Sequence, residues 1–264
     1  MVGGYALARE YPDGWVVGPH CHWDGQFVHA IAGVMEIRAA HRLWLVPPQR
    51  AVWIPPYLPH ELRARGPVSL RTLYIAPDRA PRRLGQAPGG YAVTPLLREL
   101  IVRAVEQPDG DGKTERAGRL WSVLLDEMED SPIADIALPI ASDPRLIRVC
   151  EAVMAFPEHH ASVADLARAA GMSARTLSRL AQEELGAPLS IWRQQARVVA
   201  AIPALVAGHS VIETAQNVGY ETPSAFAAMF KRIVGMTPTA FSAQREVTAS
   251  VLDGGAHAPP LPNR

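Results

Sequence analysis

Cysteine is one of the residues that this sequence almost lacks. Only two occur in 264 residues, Cys21 and Cys150, and residues so far apart offer no disulfide framework. No apolar run is long enough to span a membrane, and no signal peptide is recognisable. These absences argue against a disulfide-stapled secreted protein. They predict a soluble, cytoplasmic protein with no membrane partner.

A surplus of either charge is also missing. The 26 Lys and Arg residues balance 26 Asp and Glu residues, and only Lys113 and Lys231 are lysines. Residues 143–246 carry ten basic and nine acidic side chains, a net charge of +1. Binding of this region to a polyanion would therefore depend on a local stripe of arginines, whose planar fork suits bidentate contacts.

One pattern occurs twice within residues 162–244. In each copy a short amphipathic run is followed by a turn glycine, Gly171 or Gly219, and then by a longer amphipathic run. The turn glycines are 48 residues apart, whereas the glycines after the longer runs, Gly186 and Gly235, are 49 apart. The second copy therefore has one extra residue in its turn. A short helix, a tight turn and a longer helix are typical of a helix-turn-helix unit.

The longer helix of each copy has one apolar and one polar face. In the first copy the polar face offers arginine, glutamine and hydroxyl groups, which read base edges in the major groove. The second copy has alanines in the middle of that face, so we expect it to contact mainly phosphates. The predicted DNA-binding residues are Arg175, Thr176, Ser178, Arg179, Gln182, Arg193, Thr222, Ser224, Lys231 and Arg232. The alternative is a plain helical bundle with solvated polar faces.

The region from about Asp143 to Arg245 resembles the DNA-binding domain of AraC/XylS-type transcriptional regulators. The most specific part, Ala215 to Phe241, reads A-x-x-x-G-Y-E-T-P-S-A-F-x-x-x-F-K-R-x-x-G-x-T-P-x-x-F. The resemblance implies seven helices, with a long helix from Leu189 to about Ala207 joining the two units. It also implies an N-terminal domain that senses a ligand or dimerises.

From Tyr5 to about Ala76, short apolar or alternating runs are separated by Gly and Pro, which is typical of an all-β sandwich or small barrel. Here His20 and His22 are two residues apart on a predicted strand and so share one side. A third imidazole, His60, follows later in the chain. Three imidazoles form a facial set of ligands for a divalent transition metal.

These residues resemble the two cupin motifs, whose ligand positions fall on His20, His22, Gln26 and His60. Gln26 stands where the family usually has Glu, and Tyr57 and Ala64 stand at the usual Gly and Asn of the second motif. The resemblance implies a cupin barrel with one divalent transition metal as its only cofactor. The alternative is that the histidines pack, or line a pocket for an organic ligand. Trp15, Trp53 and Tyr57 are predicted to line that ligand pocket.

The predicted fold class has two domains: an all-β cupin barrel with flanking helices, then an all-α domain with two helix-turn-helix units. Residues 1–90 form the barrel and residues 91–130 a helical hairpin, which either dimerises or covers the barrel. Residues 131–142 are the linker, residues 143–246 the DNA-binding domain, and residues 247–264 a disordered tail.

The favoured function is a sequence-specific transcriptional regulator, not an enzyme, whose cupin domain senses a small molecule or a metal. Its expected partners are double-stranded DNA, a small-molecule effector, a second copy of the chain and RNA polymerase. One alternative is a metal-dependent cupin enzyme with an appended DNA-binding domain. Another is a ligand-independent DNA-binding protein in which the cupin serves only to dimerise.

Overall fold

The computed structural model describes residues 4–107 and 114–243. Within them the chain forms two compact units, one of residues 4–40 and 44–135 and the other of residues 41–43 and 136–243. The predicted tail, residues 247–264, lies outside the described residues. Both parts of the predicted fold class are confirmed: a β-rich N-terminal unit and a helical C-terminal unit.

The N-terminal unit is built on an antiparallel sheet around two long strands. The strands are β1 (Gly4–Tyr11), β2 (Val16–His20), β3 (Gly25–Ala39), β4 (Arg42–Val46), β5 (Arg50–Ile54), β6 (His60–Ile75) and β7 (Gly89–Ala92). Strand β6 pairs with β1, β2 and β3, and β5 pairs with β3 and β7. Strand β7 crosses the predicted boundary at residue 90, so the barrel extends slightly further than the sequence indicated.

Strand alternation divides the sheet into two faces. Gln26 and Val28 point to one face, which we call the concave face, and Phe27 and His29 point to the other. On that other face, helices α1 (Pro95–Glu106) and α2 (Glu115–Glu129) cover the sheet. The apolar core there includes Phe27, Trp53, Leu73, Leu97, Ile101, Trp121, Leu124 and Met128. Each such side chain contributes about 1.5–3 kcal/mol on burial.

The helical hairpin begins where the sequence predicted, because the side chains of Thr94 and Thr114 cap α1 and α2. Its inner side packs on the sheet, as the covering alternative requires. Leu96 and Val123 are nevertheless exposed, so dimerisation through the outer side stays a prediction.

The C-terminal unit contains a short strand and seven helices within residues 136–243, the number of helices that the resemblance implied. They are β8 (Ala137–Pro139), α3 (Pro144–Ala155), α4 (Val163–Ala169), α5 (Ala174–Glu184), α6 (Leu189–Ala207), α7 (Val211–Asn217), α8 (Pro223–Val234) and α9 (Pro238–Ala243). The prediction of a linker throughout residues 131–142 is wrong. Ile136, Leu138 and Ala141 are buried, and the Trp192 indole donates a hydrogen bond to the carbonyl of Pro139 at 2.9 Å.

The repeat in the sequence is also a repeat in structure. Ser162 and Ser210 cap α4 and α7 by accepting hydrogen bonds from the third backbone N–H of the helix, each at 3.1 Å. The turn glycines Gly171 and Gly219 both have positive φ, 71° and 79°, a conformation that side chains with a Cβ disfavour. Each cap stabilises its helix by about 0.5–2 kcal/mol.

No helix within the described residues is long and apolar enough to cross a membrane.

Candidate functional site

The predicted base-reading face of α5 is exposed. Leu177, Leu180 and Ala181 turn inward and are buried, and this fixes the opposite side of the helix toward solvent. Arg175, Ser178, Arg179 and Gln182 on that side are exposed, with Thr176 partly so. The side chain of Ser173 caps the helix by accepting from the Thr176 N–H at 3.1 Å. The first turn is thereby held in place beside the exposed face.

Arg179 already has a partner on its own helix. Its Nη1 lies 2.5 Å from Oε2 of Glu183, one turn along, and both side chains are largely exposed. An exposed ion pair of this kind is worth about 0.2–1 kcal/mol or less. Contact with a base would therefore require Arg179 to exchange a weak carboxylate contact for a stronger bidentate one.

Helix α8 offers a different surface. Thr222 caps it, accepting from the Ala225 N–H at 3.3 Å, and Ser224 donates to the Thr222 hydroxyl at the same distance. Phe226 and Phe230 are buried, and Lys231 and Arg232 are exposed near its C-terminus. Arg232 donates to the Gln194 side-chain oxygen on α6.

The two units are therefore unequal in chemistry. With the caps Ser173 and Thr222 aligned, the alanines Ala227 and Ala228 of α8 stand where α5 has Ser178 and Arg179. Methyl groups donate no hydrogen bond to a base edge. The roles of the exposed residues in DNA binding stay predictions.

Arg193, one of the predicted DNA-binding residues, is engaged within the protein, and its contact with DNA stays a prediction. Its two terminal nitrogens donate to the carbonyls of Ala161 and His159, each at 2.7 Å. Arg197 on the same helix donates to the carbonyl of Pro157 at 2.9 Å. Burial, and then the charge of Arg197, lower the pKa of Arg193. These two arginines join α6 to the loop before α4, so their hydrogen bonds stabilise the packing of that loop on the helix.

The structure brings the three predicted metal ligands together. The ligand nitrogens of His20, His22 and His60 all lie within 4.8 Å of one another. Strand β2 ends at His20, so His22 lies in the loop after it and not on the strand as predicted. His60 is the first residue of β6 and is buried. Burial above all, and the proximity of His20 and His22, lower the pKa of His60 to about 4.

Each of the three rings is held by the same kind of contact. The Nδ1 atoms of His20, His22 and His60 lie 2.8, 2.5 and 2.9 Å from the backbone carbonyl oxygens of Gly18, Asp24 and Leu58. Because a carbonyl oxygen only accepts, Nδ1 carries the proton and Nε2 keeps its lone pair in each neutral ring. A hydrogen bond from Nδ1 to a backbone carbonyl is a common way to orient a histidine that binds a metal through Nε2.

Gln26 completes the cluster from β3. Its Nε2 donates to the hydroxyls of Thr72 and Tyr74 at 3.0 and 3.1 Å, while its Oε1 lies 3.2 Å from Nε2 of His22. Two acceptor atoms therefore face each other. A bound cation, or a proton on the imidazole, would relieve their repulsion.

The predicted aromatic pocket is corrected by the structure. Trp53 is 1% exposed and packs under the helices, on the face opposite Gln26. A Cβ on Gly25 would lie 1.8 Å from its ring, so glycine makes room for the indole. Trp53 therefore belongs to the core. Trp15 is exposed just before β2.

Tyr57 lies beside the histidines. Its backbone N–H donates to the carbonyl of His22 at 2.8 Å. This hydrogen bond connects the β5–β6 loop to the β2–β3 loop, which contains His22. Its side chain is 57% exposed and meets Trp23 edge to face, with ring centroids 5.5 Å apart. Tyr57 and Trp23 thus form an aromatic pair next to the cluster.

Sequence reasoning missed a second group of side chains on the concave face. Tyr5 stacks on Tyr74 with centroids 4.7 Å apart, and Tyr74 meets His22 edge to face at 5.1 Å. Leu7 of β1 pairs with Thr72, so Tyr5 and Arg9 share its face. Nε of Arg9 is buried and has no partner among the described residues. The alternation of Tyr5, Leu7, Arg9 and Tyr11 was the available signal, but only the register aligns it with Gln26.

Comparison with known proteins gives matches in both units. The model of the AraC-like ligand binding domain matches residues 2–127, and that of a helix-turn-helix domain matches residues 166–244. The HTH-type transcriptional regulator NimR of Escherichia coli (strain K12) is 32% identical over 225 residues, which are 85% of this chain and 82% of NimR. RipA of Corynebacterium glutamicum is 31% identical over 126 residues, 47% of this chain and 37% of RipA.

Among solved structures, fatty-acid-bound ToxT from Vibrio cholerae strain SCE256 is 12% identical with a TM-score of 0.39. The match covers 92% of this chain and 94% of ToxT. The family assignment rests on the sequence matches, which cover a ligand-binding domain followed by a helix-turn-helix domain. The chain therefore belongs to the AraC-type family of helix-turn-helix transcriptional regulators, with an AraC-like ligand-binding domain ahead of its DNA-binding domain.

Proposed function

We propose that this regulator responds to a divalent transition metal bound by His20, His22 and His60, with Gln26 as a further oxygen ligand. The observation that carries the proposal is the convergence of three imidazoles, whose ligand nitrogens lie within 4.8 Å of one another. In each neutral ring the contact of Nδ1 with a backbone carbonyl leaves Nε2 with a free lone pair. Nε2 of His60 is in addition buried without a partner among the described residues, which is costly unless something binds it.

The donor set indicates the kind of metal. Three imidazoles and a neutral amide oxygen suit Zn, Ni, Cu, Co or Fe(II), whereas Mg and Ca prefer a shell of oxygens. Gln26 in place of a carboxylate leaves the charge of a divalent ion uncompensated by the chain's own ligands. The bound metal would supply a Lewis-acidic centre that attracts an anion.

The same face supports a second candidate effector, an organic anion. The buried Nε of Arg9, the stacked rings of Tyr5 and Tyr74 and the nearby His22 offer a charge, aromatic surface and hydroxyl groups together. Such a combination is typical of small-molecule sites. Metal and anion are compatible as joint effectors, because the anion would balance the metal's charge.

On the DNA side, we propose that α5 carries most of the base readout and α8 mainly contacts phosphate. We also propose that the protein is a cytoplasmic homodimer. Its two copies would meet through the outer side of the α1–α2 hairpin, where Leu96 and Val123 are exposed. Contact with RNA polymerase is a further proposal, based on the family alone. An effector changes DNA occupancy only if it binds one arrangement of the protein better than another.

The test measures both the metal content of the protein and its affinity for DNA. Protein purified without chelator is analysed for metal by elemental analysis. Its binding to the DNA upstream of its own gene is then measured by fluorescence anisotropy, before and after metal removal. We expect about one transition-metal ion per chain, and a change in affinity on removal that the same metal restores.

Two variants sharpen the test. His60→Ala removes one imidazole, and metal affinity should fall by a factor of about 10–100 or more, the usual effect of weakening a metal site. His41→Asn is the matched control: His41 is exposed in a turn with a positive φ of 56°, which asparagine tolerates. Metal-free protein with unchanged DNA affinity in every state would rule the metal out and leave the organic anion.

The proposed role is regulatory and not catalytic. The competing enzyme hypothesis requires turnover at the same metal site. Oxygen consumption or substrate loss by the metal-loaded protein with candidate small molecules, at rates that His60→Ala abolishes, would establish catalysis instead.

A further inference from the structure

The turn glycines of the two helix-turn-helix units differ in what lies beside them. Gly171 and Gly219 both have positive φ, 71° and 79°. A Cβ on Gly171 would meet no other part of the chain within 4 Å, whereas a Cβ on Gly219 would lie 2.7 Å from Cα and 2.8 Å from the carbonyl oxygen of Glu158. Gly171 is therefore required only by its turn, but Gly219 also makes room for another piece of backbone.

That piece of backbone is the segment between α3 and α4, residues 157–161, which we call the strap. It leads directly into the first helix-turn-helix unit, because the next residue, Ser162, caps α4. Glu158, which lies against Gly219, belongs to the strap. One short segment thus connects the start of the first helix-turn-helix unit with the turn of the second.

Helix α6 holds the strap through alternate carbonyl groups. Arg193 donates to the carbonyls of His159 and Ala161, each at 2.7 Å. Arg197 donates to the carbonyl of Pro157 at 2.9 Å. The two arginines are four residues apart, so they lie on the same face of the helix. Hydrogen bonds from charged donors are stronger than those between neutral groups, and three of them keep the strap on α6.

Arg197 also reaches the second helix-turn-helix unit. Its guanidinium carbon lies over the ring of Tyr220, 5.3 Å from the centroid, and Tyr220 follows the turn glycine. A cation at this distance is attracted by the face of an aromatic ring. Tyr220 in turn lies near Phe226 of α8, with ring centroids 5.8 Å apart. The strap, α6 and the second unit therefore meet at Arg197, whereas the hydrogen bonds of Arg193 go to the strap alone.

We propose that the strap positions the two helix-turn-helix units relative to each other, with Gly219 and Arg197 as positioning residues. The proposal rests on the proposed contacts of α5 and α8 with DNA. Helix α6 joins the two units, and glycines with positive φ, Gly186 and Gly208, lie at its two ends. A single connecting helix would leave each unit free to pivot at these ends. The contact of the strap with the second unit removes that freedom.

The spacing between the DNA segments that contact α5 and α8 would then be recognised together with their base sequence. Insertion of one base pair moves one segment by about 3.4 Å along the duplex and rotates it by about a tenth of a turn. Units that are held by the strap cannot follow this change without losing contacts, whereas units that pivot can. Units that are already positioned also lose less conformational freedom on binding.

The experiment replaces each turn glycine by asparagine, which tolerates positive φ. In Gly219→Asn the new Cβ would overlap with the backbone of Glu158, so the strap has to move away. Gly171→Asn is the matched control, because its Cβ meets open space at nearly the same φ. Arg197→Met removes both the hydrogen bond to the strap and the contact with Tyr220 without changing a turn. It takes the place of Gly219→Asn if that variant does not fold.

The full chain is tested on the segment of DNA upstream of its own gene that it protects from nuclease. Affinity is measured by fluorescence anisotropy for this segment and for copies with one base pair inserted or removed at the centre. The parent and Gly171→Asn should lose about tenfold or more in affinity on either change, the order of one lost base contact.

The two variants that release the strap should behave differently. Gly219→Asn and Arg197→Met should bind the native segment more weakly than the parent does, because only a fraction of the molecules has the right spacing at any time. On insertion or removal of a base pair they should lose about threefold or less. A residue that only stabilised the fold would change the melting temperature and leave this dependence on spacing as it is in the parent.

The outcomes separate this proposal from the proposed DNA contacts. A parent that tolerates the inserted base pair would show that only one helix-turn-helix unit binds the segment, which overturns the contacts of α5 and α8 and the role of the strap together. A sensitive parent, with folded Gly219→Asn and Arg197→Met equally sensitive, would overturn the role of the strap alone. Loss of the spacing dependence in Gly171→Asn would also overturn it, because that variant leaves the strap in place.

Discussion

Replacement of Arg179 by alanine should separate DNA recognition from folding. In the free protein, Arg179 makes one exposed contact, with Glu183, and alanine is a better helix former than arginine. The free energy of unfolding should therefore change by less than about 1 kcal/mol. If Arg179 reads a guanine, its loss should cost about 1–3 kcal/mol of binding energy, which is about 5–150-fold in affinity, at one position of the operator.

The assay is fluorescence anisotropy with an operator and a set of single-base variants at several salt concentrations. Arg179→Ala should bind all four bases at its position nearly equally, with the salt dependence unchanged. Arg168→Ala, which removes an exposed arginine paired with Asp165 on α4, is the matched control and should retain base preference. A uniform loss for every sequence, with the logarithmic salt slope reduced by about 0.9, would instead identify Arg179 as a phosphate contact and refute the assigned face.

Four further predictions concern Lys231, Trp53, Arg193 and His29. Lys231→Ala should weaken binding to every DNA sequence alike and reduce the salt slope by about 0.9, as titrations at several salt concentrations would show. Trp53→Ala should lower the free energy of unfolding by about 3–5 kcal/mol in urea denaturation, because it empties a core position. Arg193→Met should lower the melting temperature, whereas DNA affinity at a temperature where the variant is folded should be unchanged; a specific loss of affinity there would instead support a DNA contact. The pKa of His29 is about 4 in the folded protein and about 6.5 in the unfolded chain, so the unfolded chain takes up a proton first as pH falls. The free energy of unfolding should therefore decrease between about pH 6.5 and 4, and it should decrease less in His29→Leu.

The parts of the fold that depend on local sequence were predictable. Helix α1 runs from Pro95 to Glu106 and α6 from Leu189 to Ala207, as the apolar period and the resemblance indicated. The repeated caps and turn glycines located both helix-turn-helix units, because capping and positive φ are decided within a few residues. The convergence of the three histidines was predicted because the motif spacing reflects which strands meet.

The errors concern which face a side chain occupies. The sequence predicts that Trp53 lines the ligand pocket, yet β5 pairs Trp53 with Phe27 and turns both toward the helices. A shift of one residue in register exchanges the two faces, and the sequence of a single strand does not fix it. The carbonyls that Arg193 binds lie in a loop, and sequence periodicity does not show such partners.

The two alanines on the exposed side of α8 bear on which promoters this protein can serve. Methyl groups offer base edges no hydrogen bond, whereas arginine and glutamine side chains of the kind that α5 exposes can discriminate among base pairs. The binding sites of different promoters should then share the same base sequence in the half that contacts α5, and their base sequence should vary in the other half. One chain could thus govern several genes whose control regions agree over only half their length.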